Sequence, residues 1–76
     1  MRKDIDGNIY DTQSSTLDKK FTYGAPGDDT GYEETLYITA EGRYFIYTNG
    51  GSHSRYTHED ITPIERDYVK DWIMSH

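Results

Sequence analysis

The chain of 76 residues has no cysteine, so it is not one of the disulfide-stapled secreted scaffolds that a protein this short often is. Aliphatic side chains are nearly as scarce. Two Leu, one Val, seven Ile and two Phe make 12 of the 76 positions, a share of about 16% that by itself would suggest a disordered chain. No apolar run approaches the ~18 residues of a membrane span, and Met1-Arg2-Lys3-Asp4 leads into no apolar stretch of the signal-peptide kind. The expectation is a soluble, intracellular protein without membrane contact. Basic residues are also few: 8 Lys+Arg stand against 14 Asp+Glu, for a net charge of −6 and a pI near 4.8. Affinity for nucleic acid comes mainly from Lys and Arg neutralising phosphates, so no direct nucleic-acid binding is expected and the natural electrostatic partner is basic. Small size excludes more. Below roughly 70 to 80 residues one core rarely supplies more than about 3 to 5 kcal/mol, which leaves little for a strained catalytic cleft, and the chain is not expected to be an enzyme.

What the chain does have is aromatic. Eight Tyr, two Phe and one Trp make up 14% of it, and since each such side chain buries about 150 to 250 Å², they can build the core that the aliphatic residues cannot. Asp6-Gly7 between two short alternating stretches is a strong hairpin signal, because both turn positions need positive φ; strands are expected at about 2–5 and 8–11. A polar connector, 11–16, leads to a third strand at about 18–23. Gly24-Ala25-Pro26-Gly27-Asp28-Asp29-Thr30-Gly31 is too dense in turn formers for anything but a surface loop. The next hairpin runs from Tyr32 to Thr39 and from Arg43 to Asn49, with Gly42 in the left-handed position. If Thr39 faces Arg43, then Ile38 pairs with Tyr44 and Leu36 with Ile46 on one face, Tyr37 with Phe45 and Thr35 with Tyr47 on the other. Arg55–Thr57 is expected as a short edge segment.

Thr62-Pro63-Ile64-Glu65 reads as a helix start: a capping hydroxyl, proline at the first helical position, and a glutamate completing a capping box. The helix is predicted from Pro63 to about Met74, with Ile64, Tyr68, Val69, Trp72 and Ile73 as its apolar stripe. It should cover the Leu36/Ile38/Tyr44/Ile46 face of the sheet. The fold class that follows is α+β, one domain over residues 1–76, with a small twisted antiparallel sheet of about four or five short strands and one C-terminal helix packed on one face.

Charge is placed unevenly. Between Phe21 and Gly42 stand five acids, Asp28, Asp29, Glu33, Glu34 and Glu41, and no Lys or Arg. This stretch is either a solvated face that keeps a Tyr-rich protein soluble, or an acidic patch that takes the place of phosphates on a basic surface. With Tyr32 beside it as an aromatic anchor, it supplies the candidate partner-binding residues: Asp28, Asp29, Tyr32, Glu33, Glu34 and Glu41. No catalytic or metal-binding residue and no cofactor is expected. Asp28-Asp29 lacks the alternating oxygen ligands of an EF-hand. His53 and His58 lack the usual zinc spacing, and Ser52 and Ser54 sit in a Gly-rich turn without a nucleophile elbow. Gly50-Gly51 lacks the Lys and the following helix of a phosphate loop. The tyrosines lack the positive groove that single-stranded nucleic-acid stacking needs.

The pieces Ile5-Asp6-Gly7, Tyr10-Asp11-Thr12, Glu34-Thr35-Leu36-Tyr37, Gly42-Arg43-Tyr44-Phe45, Gly50-Gly51, Ser54-Arg55-Tyr56, Ile61-Thr62-Pro63 and Trp72 together resemble a group of small proteins carried by phages, plasmids and other bacterial mobile elements. Where that pattern often carries a longer insertion containing Trp and Gly, only four residues separate Tyr56 from Ile61 here. The resemblance implies an anti-CRISPR-like counter-defence inhibitor, whose partner would be a bacterial Cas effector protein with a basic DNA-binding surface. The alternative is a small structural or assembly protein of the mobile element that acts as a homodimer or larger homo-oligomer through an exposed strand edge. A third reading is a metal-dependent enzyme or sensor using His53 and His58.

Overall fold

The structure is a computed structural model, and it describes residues 1–25 and 27–76. Pro26, within the expected surface loop, lies outside the described residues. Strands β1 (Arg2–Ile5) and β2 (Asn8–Asp11) form a two-stranded hairpin; β3 (Thr16–Tyr23), β4 (Tyr32–Ile38), β5 (Tyr44–Gly50) and β6 (Asp60–Ile64) form an antiparallel meander in that order; helix α1 (Arg66–Met74) follows. The architecture is therefore α+β, as expected.

The first hairpin turns on Asp6 at φ 53° and Gly7 at φ 80°, the pair of positive values that matches the strand twist. In the β4–β5 hairpin, Gly42 has φ 86°, and Thr39 and Arg43 close the turn through the Thr39 N–H donating to the Arg43 carbonyl (2.8 Å) and the Arg43 N–H to Thr39 Oγ1 (3.0 Å). The register is the expected one: Ile38 faces Tyr44, Tyr37 faces Phe45, Leu36 faces Ile46 and Thr35 faces Tyr47.

Because side chains alternate across a strand, this register sorts the sheet into two faces. On one, Phe45 and Ile61 are buried beneath the β1–β2 hairpin, with Met1, Ile5, Tyr37 and Tyr47 packed around them. Tyr10 of β2 meets the Phe45 ring edge-on at 5.6 Å, and Tyr37 stacks on its other side at 5.2 Å. On the other face, α1 lies across β3 and β4. Trp72 meets Phe21 edge-on at 5.5 Å, and Leu36 of this face is fully buried. The helix thus covers the face that holds Leu36 and Ile46, as its apolar stripe implied.

Two expected boundaries are overturned. Arg55–Thr57 is not an edge strand; the fourth strand of the sheet is β6, and it contains the residues expected to begin the helix. Pro63 faces Phe45 and Ile61 faces Tyr47. The helix begins only at Arg66, after Glu65 in an extended conformation and with no side-chain cap. Burying Ile61 in the Phe45 core outweighs a capping box on Thr62, and the residue before a proline is biased toward extended backbone in any case. Proline is tolerated here because β6 is an edge strand. The shortened helix leaves Tyr68 exposed and Val69, Trp72 and Ile73 half-buried, so Trp72 is less enclosed than its place in the stripe suggested. No helix among the described residues is long and apolar enough to cross a membrane.

Phe45→Ala removes the largest fully buried side chain and unstacks both Tyr10 and Tyr37. It should cost about 3 to 5 kcal/mol, enough to unfold a domain this small. Urea denaturation read by far-ultraviolet circular dichroism measures this; an unshifted midpoint would show that the hairpin does not pack on this face.

Candidate functional site

The six residues expected to form one acidic surface are not gathered by the fold onto one surface. Asp28 and Asp29 lie exposed in the β3–β4 loop. Tyr32 stands on the helix side of the sheet, and Glu33 after it points to the hairpin side, where it faces Asn49 and pairs with Lys20 at 3.4 Å. Glu34, one residue on, points to the opposite face and is buried. Glu41 is exposed in the β4–β5 turn, separated from the loop by the length of β4, roughly 20 Å. Glu34 and Glu41 are therefore corrected as members of a common patch: strand alternation turns one inward, and the hairpin carries the other to the far end.

What the fold does assemble is the end of the sheet where the β3–β4 loop meets the segment after β5. The Gly51 N–H donates to the Gly31 carbonyl and the His53 N–H to the Asp29 carbonyl, both at 2.9 Å. The Asp28 carboxylate accepts from the Thr30 N–H (3.1 Å) and hydroxyl (3.0 Å), which hold its pKa below the ordinary carboxylate value. Gly51 is needed because the backbone of Asp28 and Asp29 lies where its Cβ would be, and Gly50 because Ser54 and Tyr32 crowd it in the same way. The Gly-Gly pair thus serves close backbone approach. Ser54 Oγ braces the same segment, donating toward the Gly51 and Tyr56 carbonyls and accepting from the Tyr56 N–H. Between this stapled loop and the sheet lies an open depression of about 530 Å³, with Asp28, Asp29, Tyr32 and Glu33 on its walls together with Lys20 and Tyr23.

Bases that are distant in sequence also arrive here. Lys20 comes from β3, and Arg55 lies 5.5 Å over the Tyr56 ring. Tyr32 is enclosed by aromatics, stacked on Tyr23 at 4.5 Å and edge-on to Tyr56 at 5.4 Å. His53 and His58 stay exposed, and among the described residues no three His, Asp or Glu side chains converge as a metal-ligand set.

Sequence reasoning missed the buried polar cluster around Glu34. Its carboxylate accepts from the Tyr56 hydroxyl and lies 2.9 Å from His76 Nε2, and the His76 side chain is only 6% exposed, stacked on Phe21 at 4.3 Å. A signal for it was present. Glu34 shares its parity with Leu36 and Ile38, the face assigned to the helix, so alternation alone turns it inward.

Comparison with protein-family models, with curated proteins and with solved structures found no match to this chain.

Two phenols tied to carboxylates set the alkaline limit of stability. Burial first, then the hydrogen bond and charge of the neighbouring carboxylate, push Tyr47 (to Glu59, 2.8 Å) and Tyr56 (to Glu34) from 10.0 up to about 12. The folded state favours the neutral phenol, so this contribution is fully present below pH 10 and is lost as the pH climbs from 10 to about 12. Phenolate absorbance should show two of the eight tyrosines titrating at about 12, with Tyr23 also raised above its ordinary value, and Tyr56→Phe should leave one at about 12. Eight indistinguishable titrations near pH 10 would refute both contacts.

Proposed function

We propose that the protein is a mobile-element inhibitor of the anti-CRISPR type, which docks the loop end of its sheet on the basic DNA-binding surface of a bacterial Cas effector. The observation that carries this reading is the pair Asp28 and Asp29, exposed on a loop that backbone hydrogen bonds tie to the neighbouring segment. Carboxylates held in place before binding lose little conformational freedom on docking, and opposite fields speed encounter at low salt. Tyr32, Tyr23 and Glu33 flank the pair, giving an aromatic floor beside the charge. Lys20 and Arg55 reduce the local field, so the footprint is narrower than five acids in sequence suggest and rests on the two aspartates. Neutralising the net charge of −6 against a basic partner works in the same direction.

Assembly through a strand edge, the alternative, has less support. The β3 edge is broken by a bulge between Leu17 and Lys19 and carries Asp18, Lys19 and Lys20, and the β6 edge carries Pro63; each of these is a feature that blocks edge-to-edge pairing.

The test begins with affinity capture from a CRISPR-bearing bacterial lysate, then measures DNA binding by the captured effector. The native chain should inhibit it, and Asp28→Asn with Asp29→Asn should cut inhibition at least about tenfold, since close interfacial charge pairs couple by about 1.5 kcal/mol or more. Asn still accepts from Thr30, so the double variant should melt with the native chain, and its residual binding should be less sensitive to salt. Changes at Glu65 and Asp67, exposed at the start of α1, should do little. Full inhibition by the aspartate variant, or loss on changing Glu65 and Asp67 alone, would move the interface away from the loop.

A further inference from the structure

Asparagine occurs twice in the chain, at Asn8 before Ile9 and at Asn49 before Gly50. The two peptide bonds that follow differ in chemistry. A glycine leaves its own amide nitrogen unhindered, whereas the branched side chain of Ile9 crowds the nitrogen beside it. Asn49 stands exposed at the end of β5, and its side chain bends back on the next residue, where the Gly50 N–H donates to Asn49 Oδ1 at 2.9 Å. Among the described residues this is the one hydrogen bond of that side chain, so no other element holds it.

The ladder leaves the Gly50 amide unused. The Gly51 N–H donates to the Gly31 carbonyl, and amides alternate in direction along an antiparallel strand, so the Gly50 N–H points away from β4. On that side β6 begins only at Asp60, opposite Thr48, and offers no partner beyond it. The nitrogen of Gly50 is thus held beside the carboxamide of Asn49, outside the backbone ladder.

We infer that Asn49-Gly50 is a site of spontaneous deamidation, which converts a neutral side chain at the loop end of the sheet into a carboxylate. The reaction stands apart from the proposed inhibitor role and does not depend on it. The Gly50 nitrogen gives its proton to water and attacks Asn49 Cγ. The Cγ–Nδ2 bond breaks, ammonia leaves with a proton taken back from water, and a cyclic imide remains. Water then opens the ring at either carbonyl. Breaking the new bond at Cγ gives aspartate. Breaking the bond between the Asn49 carbonyl carbon and the Gly50 nitrogen gives isoaspartate, whose main chain runs through the side chain and is one atom longer. In sum one water is consumed and one ammonia released, with no oxidant or reductant.

The fold fixes the second residue of the pair, because Ser54 and Tyr32 leave no room for a Cβ at Gly50. It also fixes what the products do. Asn49 faces Glu33, whose partner is Lys20, and lines the same depression as Asp28 and Asp29. In the aspartyl product one lysine stands against two carboxylates, and the loop end gains a negative charge. In the isoaspartyl product the added atom falls just before Gly50 and Gly51, where close backbone approach leaves no slack, and the bond from Gly51 to Gly31 is lost.

The native chain, incubated folded in mildly alkaline buffer well below its melting temperature, tests this by anion exchange and by mass-spectrometric peptide mapping. Asn49 should convert at least about tenfold faster than Asn8, whose follower is β-branched. One product should co-elute with Asn49→Asp, and a second of the same mass should be isoaspartyl. Asn49→Gln, for which the attack would need a larger ring, should gain no charge at this position. In the isoaspartyl product the amides of Gly51 and His53 should lose hydrogen-exchange protection while those of β4 keep theirs. Conversion of Asn49 no faster than that of Asn8 would overturn the inference. So would conversion that occurs only after unfolding in urea, since the fold would then hold the nitrogen out of reach. Unchanged protection at Gly51 and His53 would overturn the effect assigned to isoaspartate.

Discussion

Strand β4 is covered on both sides, and most of the molecule is arranged to supply those two covers. Glu34, Thr35 and Leu36 are buried one after another, which in a strand means opposite faces in turn. A two-layer domain would need one apolar partner; this sheet needs two, and the chain holds only two leucines and one valine. Aromatic rings meet the need because each closes a large area and leaves a polar edge for the rim. Tyr10 and Tyr37 enclose Phe45 on one side; Trp72, His76 and Phe21 enclose Leu36 and the Glu34 row on the other. The N-terminal hairpin and C-terminal helix are thus lids of similar kind on a meander that exposes neither face of its central strand.

Building a core from amphipathic rings brings polar groups inside, and each must find a partner. The solution adopted is hydroxyl to carboxylate: Tyr47 to Glu59, Tyr56 to Glu34. No buried side-chain nitrogen or oxygen among the described residues lacks a partner. Glu34 does the most, since it accepts from Tyr56 in the segment after β5 and also meets His76 beyond the end of α1, and so joins three parts of the chain that are far apart in sequence. The acidic stretch of the sequence therefore divides by function. Glu34 is a fastening, Glu33 is neutralised by Lys20, and Asp28 and Asp29 are the acids left at the loop surface.

The parts of this fold that could be read from the sequence were those governed by local rules. Asp6-Gly7 and Gly42 demanded positive φ, and the hairpin register followed from the turn and from alternation. The capping box at Thr62 was misleading because a tertiary interaction, the burial of Ile61 against the Phe45 core, decided the conformation of the residues around it. The acidic patch misled for a related reason: linear charge density ignores that neighbouring strand residues point apart, and that Lys20 and Arg55 come back in space. The Glu34 cluster was half legible. Parity placed the carboxylate inward, but nothing local pairs residue 34 with residues 56 and 76, because those contacts depend on where the β5–β6 segment and α1 end up.

The claim on which the rest depends is that Glu34 is a buried structural acceptor and not a surface charge. A double-mutant cycle between Glu34→Gln and Tyr56→Phe, followed by denaturant unfolding, measures that directly. A coupling of about 1.5 to 3 kcal/mol, the range for a hydrogen bond to a charged group, is the predicted result. Additive effects, with coupling near zero, would return Glu34 to the surface and remove the link between the loops and the helix.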